Sequence, residues 1–374
     1  MAHTLHLTGR TLIAWAAIAF LLAGSAVAQS ADAPSQSRSQ VLADARERAS
    51  AVVLEASRSA DAARRAEAIE AAHPDRDRIV ALAQLGLADA DPRVRYRALM
   101  AIGELKLTGL GRSATGLLND PSPSVRAAAI YAAARTGQPV DKSPLAGLLH
   151  EPLTTARMNT AEVLARLGDR SARPMIQASA GVQLRRAAPE AERVVQIKLA
   201  EALVRLGDET AIDVIRAAAY EQAVEAIEVR VFAIDLLGRL GDRAMRPALS
   251  RLVDDDTREV RLAAATTLLR MDDPSGVDEL RVAAGYTPDR AADELREATR
   301  QAAVRSALTA EMQAVLNDPG RLAEAADAVR AQAAYGLGLA EDAASARVLV
   351  DLLDDPSLQV RLSAAGAVLQ AAGR

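Results

Sequence analysis

The chain has 374 residues, a formal net charge of −4 at neutral pH, and no Cys. Without thiols it has no disulfide framework, thiolate metal site or Cys nucleophile. Its mildly acidic balance disfavours general nucleic-acid binding, which needs an excess of cationic groups to release phosphate counterions.

The first residues read as a targeting signal. Arg10 precedes an apolar run from Thr11 to Leu22, and Ala26-Val27-Ala28 follows as a small-residue cleavage site. That run is short for a bilayer span. Residues 1–28 are therefore expected to be a signal peptide, with cleavage before Gln29, a periplasmic or secreted product and no membrane span left after cleavage. Cleavage would remove Arg10 but no acid, as well as the only Trp (Trp15) and one of the two Phe residues (Phe20). Residues 29–40, rich in Ser, Ala and Gln, read as a flexible lead-in, and residues 41–374 as one repeat array.

Self-similarity dominates the rest of the chain. Val-Arg recurs as Val94-Arg95, Val125-Arg126, Val229-Arg230, Val260-Arg261, Val329-Arg330 and Val360-Arg361, and several gaps between these arginines are 31 residues. Ala156-Arg157 and Val195-Gln196 fill intermediate slots, with weaker copies near Arg65 and Arg296. Around each anchor, apolar residues fall one before and three, seven and ten after, as in Val229, Ala233, Leu237 and Leu240. This is one buried stripe of an α-helix. Leu167-Gly168-Asp169, Leu206-Gly207-Asp208 and Leu240-Gly241-Asp242 then stop one helix and start another, since Gly accepts a left-handed C-cap and Asp caps the next N-terminus. Acidic turns such as Asn119-Asp120-Pro121 and Asp354-Asp355-Pro356 close each unit. The expected fold is all-α, an α-solenoid of about ten stacked helical hairpins.

Asp120-Pro121-Ser-Pro-Ser-Val125-Arg126-Ala-Ala-Ala129 and Asp355-Pro356-Ser-Leu-Gln-Val360-Arg361-Leu-Ser-Ala364 resemble the short bacterial HEAT repeat of phycobilin-lyase-like type. The resemblance runs over about residues 60 to 372 and implies the solenoid. It does not imply one task, because the fold hosts many. Deoxyhypusine hydroxylase, of related architecture, holds iron on repeated His-Glu pairs. Here only His150-Glu151 forms such a pair, so neither that activity nor a transition metal is expected, and no cofactor is. His150-Glu151 reads as a helix-end cap group. Asp254, Asp255 and Asp256 read as caps rather than calcium ligands, because no calcium-binding loop surrounds them. The anchor arginines are expected to hydrogen-bond acidic turns across adjacent repeats.

Two departures from the period stand out. Ala180 to Glu192 is an insertion between Arg157 and Gln196, of the kind that forms loops on one face of a solenoid. Gly285-Tyr286-Thr287-Pro288-Asp289 precedes the degenerate copy at Arg296.

One column carries candidate chemistry. Nine residues after successive anchors stand Arg135, Arg166, Arg205, Arg239 and Arg270, and four residues before each of these stand Tyr131, Glu162, Glu201, Asp235 and Thr266. The middle three form i,i+4 acid–arginine pairs, worth about 0.2–0.5 kcal/mol each on an isolated helix. Arg135 and Arg270 have no acid at that spacing. In HEAT-like arrays the second helices line the concave surface, so Tyr131, Arg135, Arg166, Arg205, Arg239 and Arg270 are the candidate partner-binding residues. The expected function is a non-catalytic exported scaffold that binds a protein or peptide there. The alternative is an enzyme or accessory lyase that uses the solenoid to hold a substrate or pigment, which convergent, desolvated acids and bases would favour. Self-association is a third reading, since no polar helix follows Val360 to Ala372.

Overall fold

The computed structural model describes residues 36–180, 189–221, 226–301 and 312–373. The signal segment 1–28, the lead-in as far as 35 and residues 181–188 of the insertion lie outside the described residues. Among those described, the chain is helical and contains no strand.

Two compact units divide it, residues 53–240 and residues 36–52 together with 241–373. Helix α1 is Arg38–Ala56, so the last residues of the expected lead-in are already helical. The first unit then contains α2 (Ala62–Ala71), α3 (Arg76–Gly86), α4 (Pro92–Glu104), α5 (Gly111–Thr115), α6 (Pro123–Arg135), α7 (Pro144–Leu148), α8 (Thr154–Leu167), α9 (Arg173–Ala180), α10 (Pro189–Arg205), α11 (Ile212–Ala219) and α12 (Ile227–Leu240). Even-numbered helices stack on one another, α2 on α4 and onward to α12, and from α4 on each packs with the shorter helix that precedes it. The stripe read from the sequence is the stripe that is buried. Val195, Leu199, Leu203 and Leu206 of the α10 repeat are all in the core. The expected left-handed glycines are present at Gly168, Gly207 and Gly241, with φ of 74°, 90° and 70°. After the first, Asp169 accepts the Ser171 amide at 3.0 Å.

In several repeats the anchor arginine fastens its turn at three points. Arg95 donates through Nε and Nη2 to both carboxylate oxygens of Asp120 at 2.8 and 3.0 Å, and through Nη1 to the carbonyls of Asp89 and Ala90. The acid belongs to the next turn and the carbonyls to the arginine's own. Arg65 repeats the pattern on Asp89, Ser59 and Ala60. Arg126 holds the carbonyls of Asp120 and Pro121 and pairs with Glu151 at 3.4 Å. The turn acid has a second task, because Asp120 Oδ1 also accepts the Ser122 amide at the start of α6. Glu151, read from the sequence as a cap group, is instead the carboxylate of a clamp.

The second unit contains α13 (Arg246–Leu252), α14 (Arg258–Arg270), α15 (Val277–Ala284), α16 (Pro288–Gln301), α17 (Pro319–Leu337), α18 (Ala343–Asp351) and α19 (Leu358–Ala372). The clamp recurs in Arg261 with the Asp255 and Asp256 carbonyls and Glu279, and in Arg330 with Asp355. Asp255 Oδ1 accepts the Thr257 amide, the capping role expected of that acidic turn. The copy near Arg296 departs from the period. Arg296 is exposed and pairs with Asp293 on its own helix, while α14 packs directly on α17. Helix α16 is thus inserted between two stacked repeats. Arg330, well inside α17, takes the Tyr286 carbonyl in place of its own turn. At the chain's end, Arg38 of α1 donates to the Ala340 carbonyl at 3.0 Å and Arg48 pairs with Asp354 at 2.7 Å, so α1 lies against α18 and the turn before α19. The C-terminal hairpin therefore has a neighbour from its own chain.

The Arg95–Asp120 pair is nearly buried, with side-chain exposures of 13% and 4%, whereas Arg48–Asp354 is open at 47% and 77%. Breaking a buried pair strands a charge at a cost of about 3–5 kcal/mol, against less than about 1 kcal/mol for a surface pair. Urea unfolding should show losses of that order for Arg95→Ala and Asp120→Ala, and a small change for Arg48→Ala.

Candidate functional site

The polar side of the long helices in the first unit carries a continuous row of charge. At its start, Arg97 of α4 lies 3.7 Å from Glu70 of α2. His73, just after α2, sits 3.8 Å from Glu104 at the end of α4. Arg166 of α8 reaches past α6 to Glu104 at 2.8 Å while holding Glu162 of its own helix at 2.8 Å. Lys198 of α10 lies 3.7 Å from Glu162 and donates to Glu201 at 2.6 Å. Arg205 takes the other oxygen of Glu201 at 3.0 Å, and Arg239 of α12 pairs with Asp235 at 3.0 Å.

Periodicity explains why these groups meet. Glu70, Tyr131, Glu162, Glu201 and Asp235 stand five residues after their anchors, and Arg97 and Lys198 stand two after theirs. Stacking repeats of one length lays such columns side by side, so alternating signs come into contact without a long-range loop. Glu104 stands in the column where later repeats have Arg, and that change of sign gives Arg166 its second partner.

Burial and pairing set the protonation states. Desolvation opposes the charge on Glu162, but Lys198, Arg166 and Arg97 outweigh it and hold the carboxyl well below the ordinary range. Burial likewise opposes Glu201, which Lys198, Arg239 and Arg205 pull down. Glu104 moves the other way, because desolvation and nearby Glu162 outweigh the pull of Arg166. Desolvation, with Arg97 and Arg166 adding to it and Glu70 opposing, lowers His73 to about 4. The Tyr96 hydroxyl is fully buried, pushed well above its usual range by desolvation, and makes no hydrogen bond. A cavity of about 20 Å³ lies among Glu70, His73, Arg97, Glu104 and Arg166, with Ile69, Met100 and Ala101 as its apolar wall. It has room for about one water.

The residues singled out from the sequence fall into several environments. Tyr131 is buried, its ring packed under Gly103 of α4, where an added Cβ would stand 2.4 Å from the ring. It is therefore part of the core rather than an exposed anchor. Arg135 is half-buried and donates to the Gly103 carbonyl at 3.4 Å, without an ion pair among the described residues. Arg166, Arg205 and Arg239 form their i,i+4 pairs, and Arg166 is further engaged by Glu104. Arg270 belongs to the second unit and is partnered, with its guanidinium 5.2 Å from the Tyr335 ring centre and hydrogen-bonded to that hydroxyl. It is not the free cation that spacing suggested. His73, Glu70, Arg97, Glu104 and Lys198 were not singled out from the sequence, although the repeat columns contain the last four. No group of three or more His, Asp or Glu able to hold a metal occurs among the described residues.

The comparisons bear on this geometry at the level of family. The family profile for HEAT repeats matches residues 79–165 and 221–303. Those two stretches read as HEAT repeats. Among solved structures, the complex of CpcE and CpcF of phycocyanin lyase from Nostoc sp. PCC7120 is similar over 67% of this chain and 93% of that chain, at 18% identity and a TM-score of 0.38. No curated protein sequence matches the chain. Among the described residues, no helix is long and apolar enough to cross a membrane.

The sign of His73's contribution follows from its lowered pKa. Above about 6.5 both folded and unfolded chains hold it neutral. Between 6.5 and about 4 only the unfolded chain takes the proton, so stability falls over that window. Glu104, raised when folded, works in the opposite sense as pH falls. Urea midpoints measured from pH 7 to pH 4 should decline less steeply in His73→Gln than in the parent chain. Parallel curves would contradict a buried neutral His73.

Proposed function

We propose that the protein is a non-catalytic, exported scaffold that binds a protein or peptide segment on the long-helix face of its first unit. One observation carries the reading: the row on that face is balanced except at Arg135. Glu70, Glu104, Glu162, Glu201 and Asp235 face Arg97, Arg166, Lys198, Arg205 and Arg239 in ion pairs. Arg135, held only by a backbone carbonyl, is the surplus cation. Arg205 is 39% exposed, so its guanidinium presents donors to solvent beyond those that hold Glu201. Arginines of this kind, on a rigid helix and partly desolvated, are the residue type enriched at interface hot spots. An acidic or carbonyl-rich segment is the complementary ligand.

A catalytic reading has one observation in its favour. His73 and Glu104 are close neighbours with protonation equilibria shifted in opposite directions, as acid–base pairs require. Against it stands the volume of about 20 Å³ beside them, which admits a water and no substrate. Each carboxylate of the row is also already committed to a cation. Export rests on Arg10, the apolar run and Ala26-Val27-Ala28.

Two measurements test the proposal. N-terminal sequencing of the protein from its native host should find Gln29 first, and an intact Met1 on a membrane-bound product would refute export. Photo-crosslinkers placed at Arg135 and at Arg205 should capture the same partner, and Arg135→Glu should weaken that partner's binding at least about fivefold, the equivalent of 1 kcal/mol. Unchanged affinity would move the site off this face.

A further inference from the structure

Helix α1 is tied to the last hairpin of the second unit at two places. Arg38 donates to the Ala340 carbonyl just ahead of α18, and Arg48 pairs with Asp354 just beyond it. The two arginines stand about 15 Å apart along α1, at a rise of about 1.5 Å per residue. Between the ties the helices do not close. A groove of about 260 Å³ remains, with Val41 and Ala45 of α1 and Val350 of α18 as its apolar floor. Val41 and Ala45 are buried and Val350 is half-buried. These side chains are short, and the ties at either end set the separation of the walls.

The rim carries both signs of charge on both walls. Asp44 and Arg48 border it on α1, and Arg347 and Asp351 on α18. All four are exposed. Arg48 is committed to Asp354, whereas the side chains of Asp44, Arg347 and Asp351 make no hydrogen bond or ion pair among the described residues. Their order along each helix accounts for this. Arg347 precedes Asp351, the weaker order for an i,i+4 pair. Asp44 precedes Arg48, the stronger order, but Arg48 is taken by Asp354. In the charged row of the first unit, by contrast, each acid is held by a cation.

We propose that the groove between α1 and α18 binds an aliphatic dipeptide as a zwitterion. Its carboxylate is taken by Arg347, its ammonium by Asp44 and Asp351, and its side chains rest on Val41, Ala45 and Val350. Arg347 and Asp351 stand four residues apart, about 6 Å along the helix. Two extended residues span about 7 Å and one only about 3.6 Å, so a dipeptide reaches both charges and a single amino acid does not. Pockets for drug-sized ligands run roughly 300–1,000 Å³. A groove of about 260 Å³ suits a smaller ligand of this kind. The site lies in the second unit and does not depend on the partner face proposed above.

Calorimetric titration of the full chain with alanyl-valine should give saturable heat, with half-saturation at or below about 1 mM. N-acetyl-alanyl-valine and alanyl-valine amide, each lacking one charge, and valine, which is too short, should each bind at least about tenfold more weakly. Arg347→Gln, and Asp44→Asn combined with Asp351→Asn, should each weaken alanyl-valine by at least about tenfold. Ala45→Leu, which adds bulk to the floor, should abolish binding. Because Ala45 is buried, that variant is read only if its circular dichroism matches the parent, and the rim variants, at exposed positions, decide the matter otherwise. A weaker or absent response to alanyl-valine overturns the proposal, as does equal binding by the N-acetyl form, the amide or valine, or unchanged binding in Arg347→Gln.

Discussion

The structure depends on one interaction, the clamp between an anchor arginine and the acidic turn of the following repeat. A guanidinium is planar and carries donors on two edges. One edge satisfies the carbonyls left free in the turn it starts from, and the other grips a carboxylate about 25 residues later. That carboxylate in turn accepts the first amides of its own helix. Turn, helix start and next repeat are thereby joined through two side chains. Because the acid must arrive where the fork points, the clamp also fixes the spacing between repeats, and the 31-residue period seen in the sequence is its trace.

This fastening suits a core that is thin. Ala fills many of the contact positions between stacked helices, and each such contact removes little apolar area. Close approach compensates in part. Tyr131 lies against Gly103, and in the second unit Gly336 lies so near Thr266 and Leu280 that a Cβ would clash with both. Aromatic bulk is used at few places, and at Tyr131 the facing helix gives up its side chain. Cooperation between repeats therefore rests on directional bonds more than on bulk, which makes the array sensitive to the loss of a single clamp.

Most of the fold was legible from the sequence, because the features that specify it are local. The apolar stripe, the Gly-Asp connector and the Val-Arg anchor each lie within a few residues, and the structure has each of them. Two things were not legible. Spacing alone places Arg296 near an anchor slot, but whether a helix stacks is decided by contacts from α14 to α17, which leave α16 outside the series. The charged row was only half visible. The pairs within one helix follow from i,i+4 spacing, whereas Arg166 with Glu104 requires knowing that a side chain can reach past α6. Tyr131 was misread for a related reason. Its column is polar in the repeats that follow, yet in its own repeat the facing residue is Gly103, and the space left there draws the ring inward.

The departures from periodicity point to function for a physical reason. In a repeat array every position has a default partner supplied by the next copy, so a residue that breaks the column leaves some other group without its partner. Glu104, standing where other repeats have Arg, takes up one bond of Arg166 and creates the buried neighbourhood of His73. Tyr131 and the residues beside it replace an acid and leave Arg135 as a surplus cation. Each of these costs stability that the regular repeats do not give up, and each produces a group whose charge or donors can be satisfied by something outside the array. The irregular positions, rather than the repeated ones, are where this array carries groups beyond those that hold it together, and the proposed partner face rests on one of them, Arg135.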